Sequence, residues 1–164
     1  MEQRTLQAQL DALADAARPA GIEIATLTPY DIPTLAILTL EAYGEPVTAE
    51  SVLEASEEIR LSFDGAFGPI TEDSFIGAWD GGALVGAILV VRGSPWDEPT
   101  DDPVVMDLVV DPEYRRRGIA TALVNEAASR CRDWGFDSLS LRLDSRHSGA
   151  HELYSVLGFD EIGA

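Results

Sequence analysis

The chain is 164 residues long, about the size of one domain, and 46% of its residues are hydrophobic, which excludes a disordered acidic tail. Eleven basic residues stand against 29 acidic ones, and the net charge of −18 has the wrong sign for a bulk nucleic-acid binder. One cysteine, Cys131, excludes an internal disulfide. Short apolar runs and the polar start Met1-Glu2-Gln3-Arg4 lead us to expect a cytoplasmic protein with no membrane span and no secretory leader.

Leu6, Leu10, Leu13, Ala14 and Ala17 share one stripe at helical spacing, so residues 1–18 are expected to be helical, ending at Arg18-Pro19-Ala20-Gly21. Residues 1–20 are thus expected to be a helical extension on a domain of residues 21–164. Ile22–Leu27 alternates and reads as a strand. A helix opens at Thr28-Pro29 and runs to Tyr43, and Thr48 caps another from Ala49 to Leu61. Asp73–Trp79 and Ala83–Val91 form a hairpin around Asp80-Gly81-Gly82. Val104–Val110 reads as a buried strand. A long helix follows from Arg116 to Asp133, with Ile119, Leu123, Ala127 and Cys131 on its inner face. A strand at 138–143, a helix at 148–157 and a short strand at 159–162 complete an α/β chain. Antiparallel strands followed by βαβ units imply a mixed sheet flanked by helices.

The charge is unevenly placed. Residues 1–110 hold four Arg and twenty acidic residues, whereas residues 111–164 hold seven Arg and nine. Arg115, Arg116 and Arg117 stand at the start of the long helix, where cations oppose the helix dipole at about a few tenths of a kcal/mol each. A bound anion removes that conflict. First-turn N–H groups suit phosphate oxygens, Gly118 and the small Ala120 admit a ligand to the backbone, and Thr121 adds a hydroxyl. Neither GxxxxGK[ST] nor GxGxxG is present. The plain alternative is an exposed basic turn.

Arg115-x-x-Gly118-x-Ala120, preceded by Val110-x-Pro112-x-Tyr114, resembles motif A of the GNAT acyltransferases. The run Ala150-His151-Glu152-Leu153-Tyr154, ending in Gly158-Phe159, resembles their motif B. Both motifs occur in the family's order with one strand between, and the similarity spans roughly residues 22–163. The resemblance implies the GNAT fold and an acetyl-CoA-dependent N-acetyltransferase that acts on a primary amine by direct attack in a ternary complex. It implies that the backbones of Leu108, Val109 and Val110 bind the pantetheine arm on a strand splayed from its parallel neighbour. It implies that the N–H groups from Arg116 through Ile119 to Thr121 cradle the pyrophosphate, with charge from Arg115, Arg116 or Arg117. His147 stands where many members carry Asn and is a candidate pantetheine contact. No seventh strand is expected, which leaves a sheet edge to be covered by residues 1–18 or by a partner chain, a homodimer being one form of that.

Acetyl transfer requires a deprotonated amine, a stabilised oxyanion and a protonated leaving thiolate. Tyr154 matches the family's thiolate acid; its plain alternative is a core tyrosine. Asp107, on the strand before motif A, is the candidate base, with Glu41, Glu72 and Asp73 as weaker ones. Strand alternation puts Asp107 and Val109 on one face and Met106, Leu108 and Val110 on the other. His147 and His151 at i, i+4 could share a metal, but no third ligand is evident and none is expected. Cys131 reads as a core residue. Acceptor candidates are Tyr43, Glu45, Glu50 and Glu54, together with the aromatics Phe63, Phe67, Trp79 and Trp96. The acidic members would favour a cationic amine. Two other readings stay open: a catalytically silent CoA-binding regulatory module, and an acetyltransferase of a macromolecule.

Overall fold

A computed structural model describes residues 4–10, 19–66, 68, 70–92, 103–143 and 159–162. In chain order these form β1 (Arg4–Gln9), β2 (Ile22–Thr26), α1 (Ile32–Ala42), α2 (Ala49–Phe63), β3 (Phe75–Asp80), β4 (Ala83–Arg92), β5 (Pro103–Val110), α3 (Ile119–Asp133), β6 (Ser138–Leu143) and β7 (Asp160–Ile162). The expected helix at 148–157 and the acceptor candidates Phe67 and Trp96 lie outside the described residues.

Local chemistry explains most element ends. Thr48 caps α2 by accepting the Ser51 N–H at 3.0 Å, and Pro29 starts a 3-10 turn that leads into α1. Gly44, with φ 69°, closes α1.

The strands make one seven-stranded mixed sheet, ordered β2-β3-β4-β5-β6-β1-β7. All pairs are antiparallel except β5 with β6. α3 packs on one face, where Ile119, Leu123, Ala127 and Cys131 join Ile76, Ile88, Leu139 and Leu141. α1 and α2 cover the other, where Leu35, Leu38 and Ile59 meet Phe75, Leu89 and Val109. α3 sits close to β4 because Gly86 has no side chain; a Cβ there would lie 2.9 Å from Ile119 Cγ2.

Two expectations are corrected at the N-terminus. Residues 4–9 form a strand where a helix was expected, and the sheet has a seventh strand after all. That strand is β1, inserted between β6 and β7, with Gln7 opposite both Ser140 and Asp160. The physical reason is a second periodicity. Leu6, Ala8 and Leu10 alternate with Thr5, Gln7 and Gln9, and Ala8 and Leu10 are buried while Gln9 is exposed. The helical stripe used Leu6 and Leu10 and ignored Ala8 between them. The slot between two strands supplies ladder partners on both sides, which a docked helix could not use.

A cleft in the sheet beside an anion loop

Among the described residues β5 and β6 pair only at Val104↔Ser140 and Val105↔Leu141, although β5 continues to Val110 and β6 to Leu143. The strands part after those two pairs. Along β5 the pairing with β4 shifts register at Leu89/Val90: Val105 faces Val90 and Asp107 faces Leu89, so Met106 is the extra, bulged residue. This corrects the expected alternation. Met106 packs with the α1–α2 core, the same side to which Asp107 and Val109 turn, while Leu108 and Val110 pack toward α3 as expected.

The bulge also settles which backbone groups open into the gap. The Asp111 N–H donates to the Val85 carbonyl at 2.8 Å, toward β4. Alternation then turns the Val109 N–H to β4 and those of Leu108 and Val110 away from β4, to the side where no strand pairs with them among the described residues. Of the three expected backbone contacts, Val109 therefore belongs to the sheet. The Leu108 N–H donates to Asp107 Oδ1 at 3.0 Å, and that oxygen also accepts the Tyr43 hydroxyl from the end of α1.

Beyond β5 the chain makes a 3-10 turn at Pro112–Tyr114 and then reverses sharply. Arg116 (φ 64°) and Gly118 (φ 82°) are both left-handed. For Arg116 this costs about 1 kcal/mol or more, strain of the kind held at functional loops. The reversal delays α3, which starts at Ile119 with Gly118 as its cap and not at Arg116 as expected. Ile119, Ala120 and Thr121 thus form the first turn, and their N–H groups have no acceptor within the helix. A Cβ on Gly118 would meet only the Pro19 ring, at 3.7 Å, among the described residues. This loop combines open amides, the positive end of a helix dipole and room above the glycine, which suits a pyrophosphate.

The three arginines take different directions. Arg117 lies over the Tyr114 ring, 4.7 Å from its centre. The Tyr114 hydroxyl donates to Asp80 Oδ2 at 2.7 Å, which pins the loop to the β3–β4 turn and raises the phenol above its ordinary pKa. Arg115 Nη2 donates to the Ala42 carbonyl at 2.6 Å, at the end of α1. Arg115 therefore reaches a helix C-terminus, not the space above Gly118.

The other candidates separate. Asp73 lies on the α3 side of the sheet. Burial raises its pKa, but hydrogen bonds from the Thr71 hydroxyl (2.6 Å) and the Trp134 indole, with help from Arg130, outweigh it and leave a lowered value. Its carboxylate is thus committed to structure. Arg130 ties the same corner together through Thr26, the Asp73 carbonyl and Glu126. A cleft of 510 Å³ lined by Thr26, Phe63, Thr71 and Asp73 opens here, at the β2–β3 edge and away from the gap. Glu41 and Glu72 are exposed. Phe63 packs edge-on against Phe75 in the core, and Trp79 folds over Gly77. Glu45, Glu50 and Glu54 are exposed near or on α2. Burial pushes the Cys131 thiol up to about 12, so it stays protonated near neutrality. Tyr154, His147 and His151 lie outside the described residues. Sequence reasoning missed the Tyr43–Asp107 bond, which joins residues 64 positions apart with no local signal.

Known proteins resemble this arrangement. The acetyltransferase (GNAT) family model matches residues 38–159. An uncharacterized N-acetyltransferase of Methanocaldococcus jannaschii is 39% identical over 57 residues, 35% of this chain and 25% of that protein. The [ribosomal protein bS18]-alanine N-acetyltransferase of Escherichia coli is 31% identical over 61 residues, 37% of this chain and 41% of that protein. The matched stretches thus cover less than half of either relative. The crystal structure of a GCN5-related N-acetyltransferase from Sphaerobacter thermophilus superposes with a TM-score of 0.69 at 24% identity, covering 98% of this chain and 48% of that one, a likeness of fold.

Proposed function

We propose, since the chain belongs to the acetyltransferase (GNAT) family, that it transfers an acetyl group from acetyl-CoA to a primary amine within a ternary complex. The observation that carries this reading is the early parting of β5 and β6 among the described residues, with the Leu108 carbonyl and the Val110 N–H turned away from β4 beside Asp107.

Acetyl-CoA supplies an activated acyl group as a thioester. Leu108 and Val110 hold its pantetheine arm as the missing neighbour strand would. The amides of Arg116 to Thr121 hold the pyrophosphate, with Arg116 and Arg117 adding charge. Asp107, half-buried at the bulge, takes a proton from the incoming ammonium, directly or through water, since an ammonium has no lone pair to attack with. A backbone N–H on the parted stretch of β5 stabilises the charge that develops on the acyl oxygen as the C–N bond forms. As the C–S bond breaks, Tyr154 gives its proton to the sulfur and regains one from the newly acylated nitrogen, a role that rests on the motif resemblance alone.

The acceptor enters from the α1–α2 side, where Asp107 and Tyr43 lie. The E. coli relative is named for the alanine of a ribosomal protein, and a protein or peptide α-amine is accordingly the first acceptor to test. Thiol release from acetyl-CoA is measured with three probes: a short peptide with N-terminal alanine, the same peptide N-blocked but carrying one lysine, and spermidine. Turnover with any probe, slowed at least about 100-fold by Asp107→Asn, is the expected result. Turnover that Asp107→Asn leaves unchanged would remove Asp107 as the base.

A further inference from the structure

Two adjacent residues at the end of α1 are tied to two separate points of the β5–α3 segment. The Tyr43 hydroxyl donates to Asp107 Oδ1. The preceding carbonyl, Ala42 O, accepts Arg115 Nη2 at 2.6 Å. The helix end between them is fully accounted for. Leu40 O accepts the Glu45 N–H at 2.9 Å, Glu41 O accepts the Gly44 N–H at 3.1 Å, and Ala42 O is the carbonyl that goes to the arginine. A guanidinium there also meets the negative end of the α1 dipole.

Asp107 is held in turn from two sides. Its Oδ1 accepts both Tyr43 and the Leu108 N–H, which fixes the plane of the carboxylate at the mouth of the gap. A half-buried aspartate on a bulge has rotamer freedom that this pair of donors removes.

We infer that Tyr43 is a positioning residue for Asp107, and that Arg115 serves transfer by capping α1 and holding Tyr43 in place, not by binding phosphate. The inference rests on the acetyl-transfer reading above and adds to it two residues that act through Asp107. It separates Arg115, which reaches the end of α1, from Arg117, which lies over the Tyr114 ring. Geometry favours this over a phosphate role for Arg115, because its guanidinium reaches across to α1.

The test uses the full chain and measures two quantities for each variant. One is acetyl-CoA affinity by calorimetry; the other is kcat with whichever of the three probe amines the wild type acetylates. Tyr43→Phe keeps the ring and removes the hydroxyl. It should lower kcat about 10-fold and leave acetyl-CoA affinity within about twofold. Tyr43→Phe combined with Asp107→Asn should be no slower than Asp107→Asn alone, the result expected of a residue that acts on transfer through that carboxylate. Arg115→Gln should lower kcat about fivefold with affinity again within about twofold, and Arg115→Lys should recover part of the loss.

Wild-type kcat in Tyr43→Phe, or losses that multiply in the double variant, would overturn the role of Tyr43. Lost affinity with preserved kcat in Arg115→Gln would return Arg115 to the phosphates and overturn its role. A wild type that binds no acetyl-CoA, or that acetylates no probe, removes the transfer reading and this inference with it. Those outcomes are distinct from turnover that Tyr43→Phe leaves untouched, which removes the inference alone.

Discussion

The two ends of β5 are made of the same residue types and held differently. At Val104 and Val105 the strand pairs with both β4 and β6, and both side chains are buried. At Leu108 to Val110 it pairs with β4 alone among the described residues, and alternate amides turn away from β4. The closed end is core, with a strand on each side. At the open end the Leu108 N–H turns to Asp107 instead of a strand, and the backbone groups beside it suit a guest chain with amide groups of its own. Apolar composition marks both ends as interior. The register tells them apart, and the bulge at Met106 lies at the junction.

The comparison can be broken first at the closed side. Gln7→Pro places a residue with no N–H between β6 and β7 and should cost about 3 kcal/mol or more in urea unfolding. A cost under about 1 kcal/mol would mean that β1 is not an interior strand in solution. Leu141→Ala, opposite Val105 and 2% exposed, should cost about 3 kcal/mol while leaving acetyl-CoA affinity within about threefold. Equal damage to both would show that the two ends do not act separately.

The smallest effect is expected on the α3 face, away from the gap. Asp73→Asn should cost about 1 kcal/mol near neutrality. The sign with pH follows from its lowered folded value. The ionised, hydrogen-bonded form stabilises the fold above the ordinary aspartate range near ~4, and that contribution fades as pH falls through the lower folded value. The wild-type advantage over Asp73→Asn should therefore shrink on acidification. An advantage that grows toward low pH would contradict the assigned hydrogen bonds.

Much of the architecture was legible from local chemistry. Thr48 capped its helix, Gly81-Gly82 made its hairpin, and the inner stripe of α3 held from Ile119 to Cys131. Failures came where two patterns overlapped or where contacts were distant. Leu6 and Leu10 fit both a helical stripe and an alternating strand, and only the slot between β6 and β7 decides between them. Met106 was put on the wrong face because a bulge leaves no mark in an apolar run. The start of α3 slipped from Arg116 to Ile119 because a left-handed arginine is not readable from its neighbours. The Tyr43–Asp107 and Arg115–Ala42 bonds join distant segments, so the candidate site was visible as a set of residues and not as an arrangement.

The most direct measurement of the central claim is calorimetric titration of the full chain with acetyl-CoA, beside Gly118→Asp. The substitution puts a side chain on a left-handed residue and a negative charge at the start of α3, where the pyrophosphate would lie. Binding by the wild type that weakens about 100-fold or more in the variant, with wild-type unfolding otherwise retained to within about 2 kcal/mol, is the expected result. A wild type that takes up no acetyl-CoA at millimolar ligand, or a variant that binds it equally well, would contradict the assignment of the gap and its loop to the cofactor.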